Sequence, residues 1–176
     1  VGASYSISGA GTVSLSGPIA VSDGSLSLDG STVGCVGLTQ TGGTLTAGTS
    51  AITSSGSVAV TNGTFTPSTS TLTLSGAGSS VRFTGPRQPY DLLISAAGAV
   101  SILTDDLTVG NQLTVNAGAT FSTNGTSLTV TGPASVAGTL TGSAAPDSIT
   151  VNGVTTATGT INLNGGDFTT TNLTVS

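Results

Sequence analysis

Apolar and polar residues alternate along this chain in short runs. Examples are SLSL at 25–28, TLT at 44–46, AIT at 51–53, SVAV at 57–60, TFT at 64–66, TLTL at 71–74, LTV at 107–109, QLTV at 112–115, SLTV at 127–130 and SITV at 148–151. Period-two alternation points one side chain inward and the next outward, so each run predicts a half-buried β-strand. The runs are separated by Asp23-Gly24, Asp29-Gly30, Asn62-Gly63, Asn124-Gly125, Asn152-Gly153 and Asn164-Gly165. Such pairs supply the positive φ that tight corners need.

The pattern repeats at an interval of about 20 residues, the scale of one solenoid coil. Nine of the twenty positions in 41–60 recur identically in 61–80, with Leu45/Phe65 and Ile52/Leu72 as apolar replacements. One step earlier, Gly24-Ser25-Leu26-Ser27 matches Gly43-Thr44-Leu45-Thr46, and Val33 falls on Ile52. Thr120-Phe121 answers Thr64-Phe65, and Leu128-Thr129-Val130 answers Leu72-Thr73-Leu74, in both cases close to three repeats further on. Hairpins would mirror apolar positions across a turn; recurrence at a fixed interval means translation instead. The expectation is an all-β, single-domain parallel β-solenoid over 1–176, with about nine coils of about 19–20 residues and three short strands per coil. Leu26, Leu45 and Phe65 form one internal ladder, and Val33, Ile52 and Leu72 another. An outer-membrane barrel would need strands of about ten residues and aromatic girdles, which six aromatics cannot supply.

Composition narrows the function. Thr, Ser and Gly number 34, 26 and 27, half of the 176 residues. The charged residues are seven Asp, Arg82 and Arg87, for a net charge of −5, with no His. Two arginines are no footprint for nucleic acid. Without His, the Ser-His-Asp and Cys-His catalytic arrangements and imidazole metal sites are lost. We therefore expect no enzyme, no cofactor and no metal. Positive mean hydropathy and low net charge argue against disorder. No apolar stretch approaches the roughly 18 residues of a membrane helix, so no membrane insertion is expected. The chain begins at Val, which reads as processing or as a piece of a longer chain. Cys35 shares a face with Val33 and reads as a buried, inert thiol.

Residues 85–91, Gly-Pro-Arg-Gln-Pro-Tyr-Asp, break the rhythm with two prolines and predict a loop bulging from one corner. Charge, aromatic and rigidity coincide there, so Arg82, Arg87, Tyr90 and Asp91 are the candidate contact residues for glycans or a host or cell surface. The succession GTFTPSTSTLTLSG, VRFTG, PYDLLIS, DDLTVGNQLTV and NAGATFSTNGTSLTVTG, within residues 41–132, resembles the repeats of very large bacterial surface and secreted β-strand-repeat proteins. These are similar to filamentous-haemagglutinin and autotransporter-passenger solenoids. Asp91 and Leu93 depart from the family's pattern. The resemblance implies a secreted, extracellular or cell-surface solenoid with structural or adhesive duty, and it transfers no catalytic residue.

Both ends read as open sheet edges. Solenoids normally carry a capping unit, whereas Ser4-Tyr5-Ser6-Ile7-Ser8 and the final FTTTNLTVS are strand-like. Such a chain either belongs to a longer solenoid or pairs its last coil with the first coil of another copy, a contact that does not close and builds a filament. Tyr5, Ile7, Val13, Phe168, Leu173 and Val175 are the expected self-assembly edges. Thr44, Thr46, Thr64 and Thr66 predict an outward Thr-x-Thr ladder, for which ice binding is the alternative to ordinary outward β-branched packing. Asp105-Asp106 reads as a solvated corner rather than a calcium site. Asn62, Asn124 and Asn172 lie in N-x-T sequons, a number expected by chance in so Thr-rich a chain.

Overall fold

The computed structural model describes residues 3–7, 9–102 and 104–176. Among them lie twenty-one strands and no helix, and every strand pairing is parallel. The strands form three long ladders, which we call faces 1, 2 and 3 in the order the chain visits them.

Face 2 is the most regular. Val13, Val33, Ile52, Leu72, Leu92, Leu113, Ala134, Thr155 and Leu173 follow one another as register partners, one rung per coil. Face 1 runs Tyr5, Leu26, Leu45, Phe65, then Leu107, Leu128, Ile149, Phe168. Face 3 begins Ile19, Leu38, Val58, Val81 and ends Val100, Phe121, Leu140, Ile161. The architecture is therefore the parallel β-solenoid that the repeat predicts. With the non-strand residues 84–90 counted as a passage along face 1, the described chain passes faces 1 and 2 nine times and face 3 eight times, so it makes between eight and nine turns.

Inward residues fill the interior. Phe121, Leu45, Leu74, Ile94, Leu113, Leu128 and Ile149 are among the largest fully buried side chains. Apolar burial at roughly 25 cal/mol per Å2 is the main stabilising term, and each rung gains it only by stacking on its neighbours. Cys35 is buried as expected, and burial raises its thiol pKa, against lowering hydrogen bonds from Ser54 and Gly37.

The backbone obeys one rule on all three faces. Inward residues direct their N–H to the following coil: Leu107 N to Ser127 O on face 1, Leu92 N to Gln112 O on face 2 and Leu38 N to Ser57 O on face 3. Outward residues direct theirs to the preceding coil: Thr44 N to Gly24 O, Thr71 N to Ser50 O and Thr160 N to Gly138 O. Each coil thus presents inward-residue groups on one edge and outward-residue groups on the other.

The longer correspondence, between 64–74 and 120–130, needs correction. Phe65 lies on face 1, whereas Phe121 lies on face 3; Leu72 lies on face 2, whereas Leu128 lies on face 1. The interval spans two and two-thirds coils rather than three. The same strand–turn–strand unit is used at two different corners. Ser70 N bonds Pro67 O in one and Thr126 N bonds Thr123 O in the other, with Ser68 and Asn124 both at positive φ (47° and 52°).

Candidate functional site

The irregular stretch is residues 84–90, since Asp91 already opens the strand Asp91–Ile94. It does not bulge from a corner. It takes the place of the face-1 strand in the fifth coil, between Gly63 in the coil before and Gly110 in the coil after, whose N–H bonds Pro89 O. Gly24, Gly43 and Gly63 stack at the corner leading into face 1, all at positive φ. A Cβ on Gly63 would sit 2.4 Å from Gly43 O, so this corner admits only glycine. Arg87 ends the stack: its Nε and Nη2 donate to Gly63 O at 2.9 and 2.7 Å, and its Nη1 to Thr84 O at 3.0 Å. A guanidinium fork replaces the donors of the missing strand. Pro89 is buried against the core. With Phe65, Phe83, Leu72 and Ile52 it lines a void of about 10 Å3, barely room for one water.

The four contact candidates are not brought together. Arg82 sits outward on face 3, on the strand Ser80–Phe83, and its Nε donates to Asp105 Oδ2. Thr104 Oγ1 donates to the same oxygen at 3.0 Å. These two hydrogen bonds, the Arg82 one foremost, hold the Asp105 carboxyl below its ordinary value of 3.8. Arg87 is spent on the backbone. Tyr90 is half-buried. Asp91 lies on face 2, its Oδ1 accepting Asn111 Nδ2 at 2.7 Å and Gln112 N at 3.1 Å. Asp106 Oδ1 accepts Ser127 N at 2.8 Å. Among the described residues no three His, Cys, Asp or Glu gather as a metal site.

Thr44 and Thr46 are ladder partners of Thr64 and Thr66, and of Ser25 and Ser27 below, which pair with Ser4 and Ser6. This two-column array covers four rungs of face 1. Beyond the interruption face 1 changes phase: Thr108, Thr129, Thr150 and Thr169 form a single outward column between inward pairs such as Leu107/Val109. A second two-column array then appears on face 3, with Thr120/Ser122, Thr139/Thr141 and Thr160/Asn162. Sequence reasoning missed it because motif spacing alone does not say which face a Thr-x-Thr run occupies.

The expected edge residues lie on the first and last coils. Tyr5 is 69% exposed and Val175 71%, the largest values among the exposed large hydrophobics. Leu173 is 46% exposed, while Ile7, Val13 and Phe168 are half-buried. The strand Asp167–Val175 pairs with Ser148–Ala157 along one edge only among the described residues. Gln40 is a site no pattern suggested: its side chain is fully buried, with Nε2 donating to Thr64 O at 2.9 Å and Oε1 unpartnered.

The fold is a β-solenoid, as the resemblance implies; comparisons with protein-family models, with curated proteins and with solved structures find no match.

Proposed function

We propose that this chain is an extracellular, non-enzymatic structural protein, a β-solenoid rod that stacks end to end into a filament or surface fibre. The observation that carries this reading is the uniform parallel ladder: on all three faces inward residues donate to the following coil and outward residues to the preceding one, so the two edges of every coil are complementary. Main-chain groups on a coil edge template a further strand, and Tyr5, Leu173 and Val175 are exposed apolar residues that can extend the internal ladders. A surface of Ser and Thr with few charges suits a secreted repeat protein, as the family resemblance suggests. The partner is then a second copy of the chain, with glycans or cell surfaces as further ligands of the rod's sides.

Ice binding through a uniform Thr face draws less support. The two-column arrays occupy face 1 in the first four coils and face 3 near the other end, so neither runs the length of the rod. The test is negative-stain microscopy with sedimentation across a concentration series. The reading expects rods many subunits long, dispersed by Leu173→Lys. Monomers at all concentrations overturn it.

A further inference from the structure

In the fourth coil the outward pair on face 2 is Thr71 and Thr73; in the fifth it is Asp91 and Leu93, their register partners. Leu92 and Ile94 point inward and are buried, so the carboxylate and the leucine stand on the outer surface, both half-buried. The sixth coil places Gln112 and Thr114 in the same two columns. Thr71, Asp91, Leu92, Leu93, Gln112 and Thr114 line a groove of about 140 Å3 that opens to solvent.

The polar groups of this groove are fixed and only partly used. Asp91 Oδ1 accepts Asn111 Nδ2 at 2.7 Å and Gln112 N at 3.1 Å, and among the described residues no hydrogen bond reaches Oδ2. Gln112 Nε2 makes one long bond, 3.4 Å, to Thr114 Oγ1. A carboxylate oxygen, a nearly free amide and two threonine hydroxyls therefore surround one small space, with Leu93 as its apolar wall.

We propose that this groove on face 2 binds one ring of a neutral sugar. The proposal rests on reading the rod's sides as a ligand surface and is independent of end-to-end stacking. A pyranose ring presents a rim of hydroxyls, each both donor and acceptor, and patches of C–H. Carboxylate and amide groups hold their polar atoms in a plane and meet neighbouring hydroxyls together. The C–H patch leaves water against Leu93. Asp91 is already anchored by its two donors, which lowers the ordering cost of binding.

Charge and topology exclude the other ligand classes. The chain carries a net charge of −5, and no cation lines the groove. Arg82 is paired with Asp105, and Arg87 is spent on Gly63 O and Thr84 O. An acidic sugar would meet Asp91 with nothing to balance the two charges. A metal ion needs several oxygen ligands, and among the described residues no second acid gathers there. A peptide strand finds no edge to join, because the face-2 ladder is continuous through these coils. The groove is smaller than the roughly 300 Å3 of an ordinary small-molecule site, so it takes a single ring with an affinity on the order of millimolar.

Ligand-observed saturation-transfer NMR reads weak binding to single chains and to rods alike, so the outcome does not depend on assembly. The probes are the methyl glycosides of glucose, galactose, mannose and N-acetylglucosamine, with methyl glucuronide as the acidic control. We expect transfer to the C–H protons of at least one neutral glycoside and none to the glucuronide. Asp91→Thr with Leu93→Thr rebuilds the rung of Thr71 and Thr73, so it should keep the fold and weaken binding roughly tenfold. If its melting midpoint falls, Gln112→Ala gives the second reading, with a loss of roughly threefold. Transfer to no neutral glycoside, transfer that survives in both variants, or equal transfer to the glucuronide overturns the neutral-sugar site and leaves stacking into rods standing. Sugar binding by chains that stay monomeric overturns the stacking alone.

Discussion

The coils before and after the interruption at 84–90 are built on nearly the same period with different interiors. Before it, a face-1 strand sends one apolar residue inward between two outward Ser or Thr: Leu26, Leu45, Phe65. After it, the LTV strands send two inward around one outward Thr, as in Leu107/Val109 and Leu128/Val130. The first half leaves Leu26 and Phe65 half-buried, buries Gln40 and Ser50 with unpartnered oxygens, and contains the small void at Phe65. The second half buries Leu107, Val109, Leu113, Val115, Phe121, Leu128 and Val130 almost completely and leaves Ile161, Leu163 and Phe168 half-buried. Backbone period sets the fold, and the phase of the apolar residues within it sets how much core each coil contributes.

The largest expected effect comes from the largest fully buried side chain. Phe121→Ala removes a fully buried ring and should destabilise by about 3–5 kcal/mol. Leu26→Ala removes a half-buried side chain and should lose about 1–2 kcal/mol. Urea unfolding midpoints compare the two; equal losses would mean that the extent of burial does not set the cost. Next is the junction between the halves. Arg87→Ala strips the forked donors from Gly63 O and Thr84 O. We expect a loss of about 1–2 kcal/mol, with hydrogen exchange accelerated at 84–90 and at the face-1 strand before it. Arg87→Lys should recover part of this, because an ammonium cannot reproduce the fork. Unchanged exchange in Arg87→Ala would show that Pro89 alone holds the segment.

Much of this was legible in the sequence, and the remainder fails for identifiable reasons. Leu26/Leu45/Phe65 and Val33/Ile52/Leu72 are ladder partners as the repeat expects, since register follows directly from a constant interval. The match of 64–74 with 120–130 pointed to the wrong face. A strand–turn–strand unit reads the same at any corner, and coil length drifts along the chain, the step from Leu26 to Leu45 being shorter than that from Leu107 to Leu128. Residues 84–90 were recognisable as non-strand from Pro86 and Pro89, but their place as a substitute strand depends on Arg87 reaching Gly63, one coil away. Gln40 was invisible for a similar reason: period two places it inward, in a column with Val21 and Val60, and only tertiary contacts show what its amide does there.

A smaller effect tests the polar defects of the first half. Ser50 Oγ is buried without a partner in the corner Ala47–Ser50. Ser50→Ala removes a hydroxyl that has lost water and gained nothing, so it should stabilise the protein by about 0.5–1 kcal/mol. The equivalent Thr126 hydroxyl donates to Thr123 O at 2.7 Å, so Thr126→Ala should destabilise it. Opposite signs at equivalent corners in a thermal-melt comparison would trace the difference between the halves to hydrogen-bond satisfaction. A loss in both variants would contradict it.

The smallest effect belongs to an ion pair that ties the halves together across the interruption. Arg82 lies in the fourth coil, and Asp105 follows the face-3 strand of the fifth. The hydrogen bonds from Arg82 and Thr104 favour the ionised carboxylate, so the folded pKa lies below 3.8. The unfolded chain binds the proton more readily, so the pair's stabilisation is complete above pH 3.8 and disappears as pH falls through the lower folded value. Solvent and salt screen so exposed a pair, so its signature should be local. Carboxyl NMR should show Asp105 titrating below pH 3.8 in the native protein and moving up in Arg82→Gln, with the unfolding midpoint at neutral pH nearly unchanged. A titration that ignores the substitution would mean that the junction is held by Arg87 and the backbone ladder on faces 2 and 3 without help from this pair.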